Sequence, residues 1–188
     1  IKDIVVDQSA IADVIPKLPP TPAKINPPLF EITAGADATV IQKAIDDAVK
    51  FTGQRPTIHL PAGTYPVGQT LVIPPNTDLQ IIGDSDTPLG VSILKWVGKE
   101  KGPVLRIDGP SKATLRDFSI NGKKGTYDGL VVTGVDQSQG RVRTQQVMTE
   151  DNNVSFFLNK LNSVPIEFLN TAPDGIIGRG SIGFKIIG

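Results

Sequence analysis

Five side chains near predicted strand ends and turns have the chemistry that a sugar-binding surface needs. They are Lys95 and Trp96 in SILKW, Arg116 and Asp117 in ATLRDFSI, and Tyr127 in the loop NGKKGTYDG. The two rings offer flat apolar area with a polar edge, which suits stacking on a sugar. A structural role explains the same residues: the rings as core or turn residues, and the charges as solvated strand positions.

The chain has one histidine, His59, and no cysteine. The absence of cysteine excludes disulfides, thiolate nucleophiles and thiol metal sites. Strand alternation in TIHL places His59 on the opposite side from Ile58 and Leu60, which favours a surface or turn-packing role over a general base. Ser-His and metal-hydroxide mechanisms also lack their usual groups in this sequence.

Two acidic turns carry oxygen groups of the kind that calcium binds. GDSD occupies residues 83–86, and TEDNN occupies residues 149–153. Neither turn has the spacing of a calcium loop, and turn formation explains their Asp and Asn residues equally well. The sequence therefore identifies no catalytic residue or metal ligand. It establishes no cofactor, and calcium is the one cofactor that its acidic turns suggest.

These side chains need elements to position them, and the clearest predicted element is a helix within residues 36–53, ADATVIQKAIDDAVKFTG. Asp37 or Thr39 is placed to cap it, Thr39 and Gln42 have the capping-box spacing, and Gly53 is placed to end it. Apolar residues recur at spacings of three and four, so they form one face that must cover a core. That face consists of Ile41, Ala44, Ile45, Ala48 and Val49.

From Thr57 to the end, short β-rich runs are cut off by Pro, Gly and Asn turns, and no second helix is predicted. The runs are too short and too close together for strand-helix-strand crossovers. A weak repeat with an offset of 29 residues sets Ala113, Leu115, Phe118 and Ile120 against Val142, Thr144, Val147 and Thr149. Short strands that repeat in this way predict a stacked solenoid with parallel pairing between coils, capped by the helix.

The sequence predicts two parts. Residues 1–35 form an extended arm or linker, because six of the thirteen residues in 16–28 are proline; a strap lying on the domain is the alternative. Residues 36–188 form the parallel β-helix domain, which is interpreted as a fragment of a longer solenoid. Alternatively, the arm or a second subunit covers its last coil.

Charge and hydropathy exclude some partners. Nineteen Lys plus Arg residues balance nineteen Asp plus Glu residues, so no global field favours nucleic acid or an anionic membrane. No apolar run approaches the roughly 20 residues that a membrane helix needs. We therefore expect neither nucleic acid nor membrane among the partners.

Residues 36–96 resemble the amino-terminal part of pectate-lyase-like right-handed parallel β-helix proteins. The resemblance lies in the helix ATVIQKAIDDAVK, the stretch TIHLPAGTYPVGQTLVIPPNTDLQIIG, and SILKW. It implies an all-β solenoid, a right-handed single-stranded parallel β-helix with an N-terminal capping α-helix. It implies no single activity, because the fold hosts lyases, hydrolases, epimerases and noncatalytic viral or cell-surface proteins.

The resemblance also suggests roles for the charged candidates. Lyases of this superfamily use carboxylates to hold calcium against an acidic sugar, and a Lys or Arg as the base. Lys95, Arg116 and Asp117 are the matching residue types, although no lyase motif is matched. The paired aspartates and Gly-His-Gly element of the hydrolase branch find no match here.

We therefore expect a secreted or cell-surface domain that binds or degrades a polysaccharide, in the manner of a lyase or glycosidase. Its substrate-binding candidates are Lys95, Trp96, Arg116, Asp117 and Tyr127. The alternative is a noncatalytic β-helix used for assembly or glycan attachment on a surface or virion. In either case a homo-oligomer contact or a further domain is expected over the last coil.

Overall fold

The structure is a computed structural model that describes residues 19–21, 24, 26–85, 91–123, 128–133, 141–152, 154–159, 166–169, 172–173 and 182–187. Within these residues the protein is mostly β structure with one helix, and its parallel strands curl into a half-barrel. The predicted strand IKDIVV and most of the proline-rich arm lie outside the described residues.

The described strands form two sheets, and their pairings are parallel. The first sheet contains β1 (Leu29–Glu31), β2 (Thr57–Leu60), β3 (Gly63–Val67), β5 (Thr77–Gly83), β6 (Ser92–Trp96), β8 (Ser111–Asn121), β10 (Arg141–Glu150), β12 (Ile166–Leu169) and β13 (Ala172–Pro173). The second contains β4 (Leu71–Ile73), β7 (Leu105–Asp108), β9 (Leu130–Thr133), β11 (Val154–Asn159) and β14 (Ile182–Ile187).

The chain alternates between the two sheets. After β2 and β3 it passes to β4, returns for β5 and β6, and passes to β7. Single strands then alternate through β8, β9, β10 and β11. Strands of successive passes lie side by side, so the predicted parallel pairing between passes is confirmed.

The register of β8 and β10 confirms the predicted repeat. Ala113, Leu115, Phe118 and Ile120 lie opposite Val142, Thr144, Val147 and Thr149. All eight side chains are buried. The 29-residue offset therefore marks inward positions that stack on one another in neighbouring strands.

Both long strands bend at matched positions. Asp117 has φ of 59° and Gln146 has φ of 51°, which is the left-handed region. On either side of the bend the ladder is regular, with Arg116 opposite Gln145 and Phe118 opposite Val147. The bend separates each strand into two segments whose outward side chains belong to different surfaces.

Helix α1 (Ala38–Val49) covers the first pass of the chain, as predicted. Asp37 caps it by accepting hydrogen bonds from the amides of Thr39 (2.9 Å) and Val40 (3.2 Å). Gly53, at φ of 89°, follows its last turn. The predicted apolar face is buried except for Val49, which packs against the core at partial exposure.

Gln42 closes the edge of the second sheet at β4. Its amide nitrogen donates to the carbonyl of Val72 at 3.0 Å, and its amide oxygen accepts from the Val72 N–H at 2.8 Å. The side chain thus replaces a neighbouring strand at an edge that would otherwise present unpaired backbone groups.

The first sheet begins at Leu29, within the segment predicted as an arm. Leu29–Glu31 pairs in parallel with β2, and the amide of Ile32 donates to the His59 carbonyl at 3.0 Å. Sheet pairing among the described residues thus includes positions ahead of the predicted boundary at residue 36. Among the described residues, no helix has the length and hydropathy needed to cross a membrane.

Candidate functional site

The outward surface of β5, β8 and β10 before the bend is polar and carries clustered charge. Inward positions on these strands are buried, including Leu79, Ile81 and Leu115. The opposite side carries one partly exposed apolar residue, Ile82, and polar side chains that we call the outer polar face; these are Asp78, Gln80, Lys112, Thr114, Arg116, Arg141, Arg143 and Gln145. Strand alternation produces this separation, because successive side chains point to opposite sides of a sheet.

Parallel pairing arranges the outer polar face in rows across the strands. One row contains Asp78, Lys112 and Arg141. The next row contains Gln80, Thr114 and Arg143. Neighbouring strands are about 4.8 Å apart, so the charged groups repeat at short intervals along the direction in which the chain stacks.

Arg55 and Arg116 each form an ion pair on the outer polar face or beside it. Arg55 Nε is 3.5 Å from Asp78 Oδ1, and the Arg55 guanidinium donates to Thr114 Oγ1 at 3.0 Å. Arg116 Nη2 is 3.1 Å from Asp117 Oδ2. The first segments of β8 and β10, with the bend residue Asp117, carry four cations and one carboxylate. This surface is therefore basic, although the whole chain has a formal net charge of zero.

A second polar cluster lies at the other end of the same side of the first sheet. His59 Nδ1 is 2.7 Å from Glu31 Oε1, and His59 Nε2 is 2.8 Å from Asp84 Oδ1. The other Asp84 oxygen accepts from the Ala62 amide at 2.8 Å. Carboxylates engage both ring nitrogens, so neither nitrogen is placed to accept a proton from a substrate.

The pKa shifts in this cluster match an imidazolium held between carboxylates. Burial disfavours the charged ring, but hydrogen bonds and charges from Glu31 and Asp84 outweigh burial and raise the pKa of His59 above 6.5. The Ala62 amide and then His59 lower the pKa of Asp84 below 3.8. Burial, with the charges of Asp84 and Glu31, raises the pKa of nearby Tyr65 to about 12.

These shifts predict that the cluster stabilises the fold most in mildly acidic solution. The raised pKa of His59 contributes stability that is complete below 6.5 and is lost as the pH rises through the folded-state pKa. The lowered pKa of Asp84 contributes stability above 3.8 that is lost at lower pH. His59→Gln is therefore expected to lower Tm more at about pH 5.5 than at about pH 8.5. Thermal unfolding of both proteins checks this, and an equal decrease at both values would contradict it.

Lys95 and Arg116 lie on opposite sides of the bend. Lys95 is exposed on β6 and pairs in register with Asn121, in the second segment of β8. Arg116 pairs in register with Ile82, in the first segment. The structure therefore brings Arg116 and Asp117 together but leaves Lys95 on a separate surface, beside Asn121 and Glu150.

Trp96 is a core residue, contrary to its assignment as a sugar-stacking side chain. It is 3% exposed, and it follows the inward pattern of Ser92 and Leu94 on β6. Because Lys95 points outward, its strand neighbour must point inward. A Cβ added at Gly98 would lie 2.7 Å from the indole ring, which shows how closely the following loop covers Trp96.

Tyr127 lies outside the described residues, as do Asp86 and Asn153 of the two acidic turns. Within the described part of the chain, no group of three or more His, Asp or Glu side chains is arranged to hold a metal ion. Asp84, from the first acidic turn, instead binds His59 and the Ala62 amide.

The sequence-based candidates omit most of the outer polar face. Lys112, Arg141 and Arg143 are not among these candidates, although the repeat contains the signal that finds them. An offset of 29 residues places Lys112 beside Arg141, and Thr114 beside Arg143. Asp78 and Arg55 have no such signal, because Asp78 lies on β5, outside the repeat, and Arg55 lies in the loop before β2.

No protein-family model, curated protein or solved structure matches this chain. The site is therefore interpreted from its own geometry.

Proposed function

We propose that this chain forms a right-handed parallel β-helix of the pectate-lyase-like type, and that its outer polar face binds an acidic polysaccharide. The observation that carries the proposal is the set of four cations on adjacent strands β8 and β10, arranged in rows with amide and hydroxyl groups. Guanidinium groups bind carboxylates in a bidentate geometry. The amide and hydroxyl side chains can form hydrogen bonds with sugar hydroxyls.

The fold assignment is supported by the way in which the chain alternates between two parallel sheets. Each pass lies beside the previous one, and the bends at Asp117 and Gln146 recur at the same level. Helix α1 covers the start of the stack. These features fit the resemblance carried by residues 36–96.

The same surface fits a polysaccharide better than a nucleic acid. Its described positions include no aromatic side chain on which a base can stack. Intermixed polar and charged groups suit a chain that combines carboxylates with many hydroxyls.

Binding is favoured over lyase chemistry at Arg116. A lyase base must be free to take a proton, and Arg116 instead lies in an ion pair with Asp117 at 3.1 Å. Guanidinium groups also keep their proton in proteins. We therefore propose that Arg116 and Asp117 contact the ligand and that the first segments of β8 and β10 form a binding surface.

Affinity electrophoresis tests this proposal. Polygalacturonate, alginate and dextran are cast separately in native gels, and the wild type is compared with the double variant Arg116→Gln, Arg143→Gln. We expect retardation by the acidic polymers and not by dextran, and roughly tenfold weaker binding of the variant, which corresponds to two lost charge-assisted contacts. The control is Lys43→Gln, Lys50→Gln, which removes two exposed charges from or just after α1.

Three results would contradict the proposal. The wild type is retarded by no acidic polymer, the control loses as much affinity as the double variant, or single-stranded DNA competes more strongly than the acidic polymers. Absorbance from new double bonds and assays of reducing ends are run on the same mixtures. An increase in this absorbance or in the number of reducing ends would show degradation in addition to binding.

A further inference from the structure

A pocket lies where the outer polar face meets the end of helix α1. Its volume is about 240 Å³, and its walls include Thr52, Asn76, Asp78, Pro110 and Lys112. This is smaller than the roughly 300–1,000 Å³ clefts that hold drug-sized ligands. The pocket therefore suits a ligand with a single ring.

The pocket contains one carboxylate and one ammonium group that are not paired with each other. Asp78 and Lys112 occupy opposite positions on neighbouring strands, but within the described ranges no ion pair joins them. The Asp78 side chain is 16% exposed, and its contact with Arg55 is long, at 3.5 Å. A carboxylate acceptor and an ammonium donor therefore line one small space together with Asn76.

The three hydroxyl groups that line the pocket are already engaged with backbone carbonyls, and those of Thr77 and Ser111 each lie 3.0 Å from the Pro74 carbonyl. Thr52 Oγ1 donates to the Val49 carbonyl at 2.8 Å. Pro110 adds an apolar ring surface on which the C–H side of a sugar can lie. Asp78 repels an anion, while Lys112 and Arg55 repel a cation. The ligand that fits these charged groups is therefore uncharged and carries several hydroxyls.

From this arrangement we infer that the pocket binds one uncharged sugar residue at the end of the polysaccharide chain. Asp78 accepts hydrogen bonds from sugar hydroxyls, and Lys112 and Asn76 donate to its oxygens. Thr52 and Gly53, just beyond α1, line the pocket, and the helix end prevents the chain from continuing on that side. The inference rests on the proposed function, because Asp78 and Lys112 also belong to the outer polar face.

Asn76→Gly is the most informative variant. Asn76 has φ of 60°, which glycine adopts without strain, so the substitution removes the side chain and keeps the turn. Lys123→Gly is the matched control, because Lys123 has φ of 58° and lies in another turn, between β8 and β9. Asp78→Asn is a second variant, which retains the shape of the side chain and removes its charge.

Saturation-transfer NMR with methyl glycosides of glucose, galactose and N-acetylglucosamine tests the inference. We expect millimolar binding of at least one glycoside by the wild type and by Lys123→Gly, and at least fivefold weaker binding by Asn76→Gly and Asp78→Asn. No transfer to any of the three glycosides, or unchanged transfer in both pocket variants, would overturn the inference. Thermal midpoints show whether each variant is folded.

Polygalacturonate retardation of the same samples separates this inference from the proposed function. If the wild type binds polygalacturonate but no glycoside, the pocket assignment alone is wrong. If it binds a glycoside in the pocket but no acidic polymer, the proposed function is wrong, and the pocket is a site for a single sugar that is not part of an acidic chain. Asn76→Gly is expected to retain polymer binding, because Asn76 lies outside the rows of the outer polar face.

Discussion

Phe118→Ala is expected to lower the free energy of unfolding by about 4 kcal/mol, because removing a buried aromatic ring loses its transfer free energy and leaves a cavity. Phe118 is fully buried and lies opposite Val147 in the core between the sheets. It also directly follows the bend at Asp117, where the backbone has little freedom to collapse into the space. Urea unfolding followed by circular dichroism measures the change.

Phe51→Ala is the matched control for this prediction. Phe51 is 37% exposed and contacts Phe30 with ring centroids 6.1 Å apart. The same substitution there is expected to cost about 1 kcal/mol. Equal losses from the two variants would show that Phe118 does not occupy the stacked core described here.

Gly83→Ala is expected to destabilise the protein by about 3 kcal/mol, because the new methyl group meets fixed atoms. A Cβ at this position would lie 2.3 Å from the Asp117 carbonyl oxygen and 2.8 Å from Phe118 Cβ. Gly83 ends β5 directly beside the bend of β8, so the two backbones approach closely only because glycine is present. Asp117 lies between Arg116 and Phe118, which are both paired with β10, so its main-chain oxygen has little room to move.

Gly68→Ala provides the comparison, since a Cβ at Gly68 meets no atom within 4 Å. It is expected to change the free energy of unfolding by less than about 0.5 kcal/mol. Thermal and urea unfolding of both alanine variants measure the difference. If Gly83→Ala were as stable as Gly68→Ala, the close stacking of β5 on β8 would be wrong.

The stacked pairing of β8 and β10 is predictable from the sequence because its cause is local. Inward side chains repeat at the same spacing in both strands, and a shift by one residue would turn every one of them outward. The helix is predictable for the same reason, since Asp37, the apolar face and Gly53 are all readable within 18 residues. The strand β1 is not predictable, because Leu29–Glu31 is short and follows a run of prolines.

The candidate site is only partly predictable. Successive side chains of a strand point to opposite sides, so Lys95 and Trp96 cannot lie on the same surface. The core position of Trp96 follows once the outward side of β6 is known. The cluster of Glu31, His59 and Asp84 depends on residues 28 and 25 positions apart, which no local pattern connects. The basic character of the outer polar face arises only when Lys112 and Arg141 are placed on adjacent strands.

An NMR titration of isotope-labelled protein with a polygalacturonate oligosaccharide tests the central claim most directly. We expect the backbone amide chemical shifts of Lys112, Thr114 and Arg143 to change as the oligosaccharide is added. The amide chemical shifts of Val72 and Arg106 in the second sheet are expected to stay constant. Shifts confined to the second sheet, or no shift at saturating oligosaccharide, would contradict the assignment of the outer polar face as the binding surface.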